Sequence, residues 1–273
     1  MLIIAEIGWN FVGDMELAKE MIRQAADAGA DYAKFQTWSV KNLKPGPWDN
    51  DGRREIYEKA ELSEEKHLIL SDCCKANNIK FLTSCFSLDS IDLISRLTNE
   101  VKIASTELWN IDLLKEIAKK FDTIFLSTGT CTTQEISLAV DILKEKKVYL
   151  LHCVTSYPCP PEKINLPRIK SLGYFTSNIG YSGHGEGIYD ALASMKYDVK
   201  VIEKHFTIDK NLPGRDNKFA ILPHELKFLV DYAKVYKKMD TYNTTEYQEC
   251  EQEAREVYRG RWSGNQHCNP NKE

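Results

Sequence analysis

No run in this 273-residue chain reaches the roughly 18 consecutive apolar residues of a membrane helix. Its opening, Met1-Leu2-Ile3-Ile4-Ala5-Glu6, has neither the basic start nor the long apolar stretch of a secretion signal. It reads as a strand, and the expected location is the cytoplasm. No basic excess exists either: 36 Lys and Arg face 40 Asp and Glu, a formal charge of −4. That balance excludes an electrostatic nucleic-acid binder. The eight cysteines include no Cys-x-x-Cys pair, which argues against a structural zinc knot. Without an export signal they are read as small buried apolar side chains rather than disulfide partners. A G-x-G-x-x-G is missing too, and with it the first turn of a dinucleotide-binding open sheet.

What is present is enough for a packed core: 42% apolar and 10% aromatic residues exclude a disordered chain. Short β-branched runs alternate with amphipathic stretches. Strands are predicted at 2–7, 31–36, 79–84, 100–105, 123–128, 147–153, 175–182 and 199–206. Helices are predicted at 15–29, 63–77, 87–97, 111–120, 132–145, 164–172, 186–197 and 223–238. Asp14, Ser63 and Thr132 with Glu135 supply helix start signals, because their side-chain oxygens accept the first free backbone N–H groups. Eight strand–helix units in a chain of this length predict an α/β fold, a closed (β/α)8 barrel. The barrel is expected over residues 1–240. Residues 241–273 follow as an extension rather than a second domain, a polar helix at 244–257 and then a disordered tail.

In this fold chemistry sits at the C-terminal ends of the strands, and there the polar residues gather. They are Glu6 with Asn10, Lys34 with Gln36, Ser84, Lys102 with Ser105 and Glu107, Ser127 with Thr128, His152 with Thr155, Ser182 with His184, and Glu203 with His205. A single buried polar strand end is unremarkable. All eight ending so is not. Strand alternation puts Lys34 and Gln36, Ser182 and His184, and Glu203 and His205 on one face. Lys204 falls on the other face and is expected to snorkel at the rim. The two imidazoles on neighbouring strands can share one divalent cation, with Glu203 as a base beside it. Mn, Fe, Co or Zn would suit such a site. Lys34 and Lys102, surrounded by Ser84, Ser105, Ser127 and Ser182, suit a phosphate with an adjacent carboxylate. Ser127-Thr128-Gly129-Thr130 adds backbone N–H groups, although such a turn is also ordinary strand-end chemistry.

Taken together, Ile4-Ala5-Glu6-Ile7-Gly8-x-Asn10, Gly29-Ala30-Asp31-x-x-Lys34-Phe35-Gln36-Thr37, Lys102-Ile103-x-Ser105-x-Glu107, Leu126-Ser127-Thr128-Gly129, His152-Cys153-x-x-x-Tyr157-Pro158, Gly180-Tyr181-Ser182-x-His184, Ile202-Glu203-Lys204-His205-Phe206-Thr207 and Pro213-Gly214-x-Asp216 resemble the sialic acid synthases. The family includes synthases of N-acetylneuraminate, legionaminate and pseudaminate. The resemblance spans about residues 2–230. It implies condensation of phosphoenolpyruvate with an N-acylated mannose-type aldose (an amino-sugar), giving a nonulosonic acid and phosphate. It implies a metal at His184 and His205, Mn²⁺ first, with Mg²⁺ or Co²⁺ as alternatives. It implies phosphoenolpyruvate at Lys34, Lys102, Ser84, Ser105, Ser127 and Ser182, with Thr155 nearby. Glu6, Gln36, Glu107, Tyr157 and Asp216 would face the sugar, with Asn10 on the substrate side, and Glu203 would position the attacking water. Glu203, Lys102, Glu107 and Glu6 form the expected catalytic set, and a homodimer is the expected assembly.

Three residues depart from the family pattern: Phe11, Gly183 and Arg215 stand where His, Asp and Pro are frequent. All three put the acceptor, more than the chemistry, in question. Fuller members carry a C-terminal antifreeze-like domain that lends an Arg to the sugar, and this chain is expected to lack it. Arg259 or Arg261 in Tyr258-Arg259-Gly260-Arg261-Trp262, or Arg53-Arg54 in the long 38–61 loop, are candidates to replace that contact. Two other readings stay open: a Schiff-base aldolase using Lys34 or Lys102, and a barrel that binds a sugar acid without turnover.

Overall fold

The computed structural model describes residues 1–241 and 244–262. Eight parallel strands close into a barrel in chain order: β1 (Leu2–Gly8), β2 (Tyr32–Thr37), β3 (Lys80–Cys85), β4 (Glu100–Ile103), β5 (Thr123–Ser127), β6 (Lys147–His152), β7 (Ile179–Gly183) and β8 (Val201–His205). Pairing of β1 with β8 closes the cylinder and sets Glu6 opposite His205. Around it run α1 (Met15–Asp27), α2 (Arg53–Ala60), α3 (Glu64–Ala76), α4 (Ile91–Leu97), α5 (Ile111–Lys120), α6 (Thr133–Ile142), α7 (Arg168–Leu172), α8 (Tyr189–Ser194), α9 (Arg215–Phe219) and α10 (Pro223–Met239). The start signals act as expected. Asp14 accepts from the Glu16 and Leu17 amides, Ser63 from Lys66, and Thr132 and Glu135 form a reciprocal capping box, each cap contributing ~1 kcal/mol.

Alternate residues of each strand point inward, and they fall into layers. The lower layer is apolar: Ile4, Tyr32, Leu82, Phe125, Tyr149, Leu151 and Val201 pack together, with the Phe125 and Tyr149 rings stacked 5.1 Å apart. Each large side chain withdrawn from water there contributes roughly 1.5–3 kcal/mol. One step up, seven of the eight strands place Glu6, Lys34, Ser84, Lys102, Ser127, Ser182 and Glu203 inward, all buried. The lower layer is therefore the floor on which a polar chamber stands.

Four expectations need correction. The 38–61 segment contains α2; its charged sequence, with only Ala60 fully buried, hides the apolar stripe that marks a helix. β7 begins at Ile179 rather than 175, because Phe175 and Thr176 donate back to Leu172 in the turn that ends α7. Lys204 does not snorkel. It is buried, its Nζ 3.0 Å from both Asp190 carboxylate oxygens and 2.7 Å from the Gly185 carbonyl. An unpaired ammonium could not stand there, and Asp190 supplies the charge that sequence spacing did not reveal. The helix expected over 244–257 is shorter and irregular: a helical run over 249–258 opens with a 3-10 turn at Glu249–Glu251 and ends in a π turn at Ala254–Tyr258. The run of glutamates there offers little apolar face to bury and repels itself along a helix.

The chain divides into two units, Met1–Tyr236 and Lys237–Glu273. In the second, the Arg255 guanidinium sits 4.2 Å from the Tyr247 ring and Arg261 lies over Tyr258 and Trp262. The expected disordered tail, 263–273, and Cys268 lie outside the described residues. Among the described residues every cysteine is a free thiol, and no helix is long and apolar enough to cross a membrane.

Candidate active site

A cavity of about 670 Å³ opens at the C-terminal ends of the strands, a volume typical of a small-molecule site. Of the sixteen residues to which the family resemblance gives a role, fifteen line it: Glu6, Lys34, Gln36, Ser84, Lys102, Ser105, Glu107, Ser127, Thr155, Tyr157, Ser182, His184, Glu203, His205 and Asp216. Asn10 does not. It is fully buried, donating Nδ2–H to the Phe206 carbonyl at 2.9 Å while its backbone carbonyl accepts from Asn217. Asn10 thus ties β1 to the segment after β8. His152 and Thr128 are also turned away, His152 onto the Ile164 carbonyl and Thr128 onto the Leu151 carbonyl.

The floor of the cavity is a charge network. Lys34 Nζ lies 2.7 Å from Glu6 Oε2 and 3.9 Å from Glu203 Oε2, and donates to Ser84 Oγ at 2.9 Å. Lys102 donates to Ser127 Oγ at 2.7 Å, and Ser182 Oγ donates to Glu203 Oε1 at 2.9 Å. Gln36 Nε2 donates to Glu6 Oε1 at 2.6 Å. The two carboxylates respond differently to burial. At Glu6 burial outweighs the Lys34 ammonium and pushes the carboxyl up to about 7. Burial pulls Glu203 the same way, but Lys102, Lys34 and the Ser182 hydroxyl hold it below its usual value. One cavity therefore holds a carboxyl able to carry a proton near neutrality and a carboxylate that stays ionised, the separation that acid–base chemistry uses. Burial lowers Lys102 and raises Glu107.

Gly129 shapes the adjoining wall. A Cβ there would lie 2.3 Å from Thr155 Oγ1, 2.8 Å from Cys153 Sγ and 2.9 Å from Ser105 Oγ. Only glycine lets this backbone come so close, and its N–H donates to Ser105 Oγ at 3.0 Å. Ser105 also touches Cys153 Sγ at 2.9 Å.

On the β7–β8 side, the His184 and His205 rings stand 5.5 Å apart. His184 Nδ1 donates to the Val154 carbonyl at 2.7 Å, which leaves Nε2 as the free acceptor. Burial pushes His184 down to about 4 and His205 well below its ordinary value, so both rings are neutral. His205 Nδ1 has no hydrogen-bond partner, and Asp216 Oδ2 lies 3.7 Å from it. Tyr157 packs on both rings, 4.3 Å from His184 and 6.1 Å from His205 between centroids. Two neutral imidazoles with free lone pairs fit a divalent cation. Among the described residues no cluster of three or more His, Cys, Asp or Glu could hold one alone, so water and substrate would complete its shell, as at a catalytic ion with open positions.

Four buried polar side chains in this cavity carry an atom without a hydrogen-bond partner, Trp38, Thr155, Glu203 and His205, whereas Glu6 is ion-paired to Lys34. Such groups are expensive unless a ligand completes them. Sequence reasoning missed Trp9, Trp38, Tyr57, Cys153 and Arg215, all of which line the cavity. Trp38 and Tyr57 lie in the segment read as a loop, and Arg215 was visible only as a departure from the family pattern. Of the arginines proposed from sequence, Arg53 is turned onto Asp51 and the Trp48 ring. Arg259 and Arg261 belong to the second unit.

A family model described as the NeuB family matches residues 21–244. The N,N'-diacetyllegionaminic acid synthase of Campylobacter jejuni is 40% identical over 255 residues, 87% of this chain and 76% of that one. A pseudaminic acid synthase of the same species is 32% identical, covering 85% of this chain and 72% of that one. The crystal structure of N-acetylneuraminic acid synthetase from Leptospira borgpetersenii, in complex with citrate, superposes with a TM-score of 0.84 at 33% identity, over 94% of this chain and 92% of that one. The match spans most of the barrel, every motif on which the resemblance rested lies within its strands and strand-end segments, and the chain belongs to the NeuB family.

Proposed function

We propose that this barrel condenses phosphoenolpyruvate with the open-chain aldehyde of an N-acylated mannose-type aldose, forming a nonulosonic acid and releasing phosphate. The observation that carries the reading is the pairing of two buried, serine-bridged ammoniums with an acid–base carboxyl pair in one cavity. Lys34, Lys102, Ser84, Ser105, Ser127 and Ser182 hold the phosphate and carboxylate of phosphoenolpyruvate. Gln36, Glu107, Tyr157 and Asp216 face the sugar. C3 of phosphoenolpyruvate adds to the aldehyde carbon, and Glu6 supplies the proton that the developing alkoxide takes up. Positive charge then gathers at C2. Glu203 removes a proton from the water that attacks there, and the tetrahedral adduct expels phosphate with its bridging oxygen. His184 and His205 would hold a divalent cation, Mn²⁺ by family likeness, which when bound polarises the aldehyde oxygen.

Phosphate release from phosphoenolpyruvate, followed with Mn²⁺ and a panel of aldoses, tests this reading. Release that depends on an N-acylated mannose-type acceptor is expected. A Schiff-base route predicts instead activity unaffected by chelation and inactivation by borohydride through Lys34 or Lys102. A non-catalytic barrel predicts binding without release.

A further inference from the structure

Four cations line the cavity, Lys34, Lys102, Lys44 and Arg215, and Lys44 is exposed. Lys34 and Lys102 are almost wholly buried and already bound to serines. Arg215 lies nearer the mouth, its side chain 44% exposed. It follows Gly214, whose φ of +102° and close approach to Trp9, 2.8 Å for an added Cβ, leave no room for another residue. The chain thus turns sharply against Trp9 and delivers Arg215 and Asp216 to the wall. The Arg215 guanidinium lies 4.8 Å from the Tyr157 ring centroid, and Nε donates to Asp216 Oδ1 at 3.3 Å. Ring and carboxylate fix the plane of the fork, while its two Nη groups make no hydrogen bond among the described residues. A pre-oriented guanidinium with free outer donors is a clamp for oxygen pairs. Asp216 offsets part of its charge, and its free fork is shaped for paired ligand oxygens.

Beside it runs an aromatic wall. Trp9 and Tyr57 are 5.5 Å apart, Tyr57 and Trp38 5.8 Å, and Trp38 and Phe86 6.3 Å between centroids. All four rings line the cavity, and the Trp38 indole N–H is buried without a partner. Such a wall suits C–H faces and methyl groups, with one donor aimed at an oxygen.

We propose that Arg215, braced by Tyr157 and Asp216, anchors the acceptor in this chain, and that the acceptor is an uncharged N-acylated aldose whose apolar substituents pack on the Trp9–Tyr57–Trp38 wall. The proposal rests on the synthase reading above and adds to it the residue and the acceptor class. Nothing in it depends on the second unit of the chain.

The test compares wild type with Arg215→Ala and Arg215→Lys. The probes are N-acetylmannosamine, a 2,4-diacetamido-2,4,6-trideoxyhexose and N-acetylmannosamine 6-phosphate. Arg215→Ala is expected to raise the acceptor KM by about tenfold or more, the loss of about one charge-assisted hydrogen bond. The phosphoenolpyruvate KM and the unfolding midpoint should stay near wild type. Arg215→Lys should recover only part, because an ammonium lacks the planar fork. An unchanged acceptor KM, a parallel rise in the phosphoenolpyruvate KM, or a preference for the 6-phosphate would overturn it. Should wild type release no phosphate with any sugar, the synthase reading fails by itself. Calorimetric titration of the two uncharged sugars then decides Arg215. Weaker binding by Arg215→Ala supports the clamp, and equal binding, or none by either protein, overturns it.

Discussion

The two halves of the barrel interior are built from the same eight strands, yet they do opposite things. Below, Ile4, Tyr32, Leu82, Phe125, Tyr149, Leu151 and Val201 form a packed plug. Two residues beyond Ile4, Tyr32, Leu82, Phe125 and Val201, the side chains of Glu6, Lys34, Ser84, Ser127 and Glu203 line the chamber. The comparison teaches that the fold concentrates its stability in one layer so that the next can hold a network that favours ligand over tight self-satisfaction. The buried charges of the chamber depend on one another, whereas the plug depends mainly on packing, with the Tyr32 hydroxyl bonded to Glu100 at its edge.

That division can be broken from either side. The largest effect is expected at Glu203→Gln, which keeps size and the Ser182 contact but removes the base. Turnover should fall by about 10²–10⁴-fold, a loss larger than any change in the phosphoenolpyruvate KM, although removing a carboxylate that faces the buried Lys34 and Lys102 also lowers the unfolding midpoint. A loss of stability without loss of turnover would mean that the layers are not separable. The mirror experiment is Phe125→Ala in the plug. It should cost about 3–5 kcal/mol by denaturant unfolding, while the KM values of the folded fraction stay within about twofold because no chamber residue is removed. Gly129→Ala sits where backbone and chamber meet. Its methyl would collide with Thr155 and Ser105, so overpacking of about 1–3 kcal/mol should come with a raised phosphoenolpyruvate KM. Kinetics showing only a stability change would remove Gly129 from the site.

The smallest effect concerns two histidines outside the cavity, His67 on α3 and His152 at the end of β6. Burial pushes His67 and His152 below their ordinary value of 6.5, outweighing the Ser63 and Ile164 carbonyls that each ring meets. Above that pH both are neutral in folded and unfolded chain alike, and their contribution is fully present. As pH falls below 6.5, the unfolded chain takes up protons that the folded one resists, and stability declines. The unfolding midpoint should therefore drop as pH is lowered from about 7.5 to about 5. His67→Gln should flatten the drop, since glutamine can meet Thr37 and Ser63 without titrating. A slope identical to wild type would assign the acid lability elsewhere.

How much of this could be read from sequence depends on which physical signal each residue leaves. The barrel was legible because strand and helix periods alternate through the whole chain and Asp14, Ser63 and Thr132 mark helix starts. The chamber was legible because period-2 alternation puts Lys34 with Gln36, and Glu203 with His205, on the inner face. Asn10 failed that test. It lies in the turn after β1, outside any period, and the structure spends its side chain on the Phe206 carbonyl. Lys204 was misread because its partner Asp190 lies on α8, fourteen residues away, and spacing does not reveal pairs across elements. Arg215 and the Trp9–Tyr57–Trp38 wall lay in irregular segments, where alternation gives no direction to a side chain. Sequence thus exposed what the strands present and concealed what the loops bring over them.

The most direct test of the chamber's chemistry uses phosphoenolpyruvate labelled with ¹⁸O at the bridging position, an N-acylated mannosamine and Mn²⁺. If Glu203 directs water to C2 of a substrate held by Lys34 and Lys102, the label leaves in the phosphate, one for each aldose consumed, and none is released without aldose. Label retained in the organic product, or phosphate appearing at the same rate without acceptor, would contradict the account.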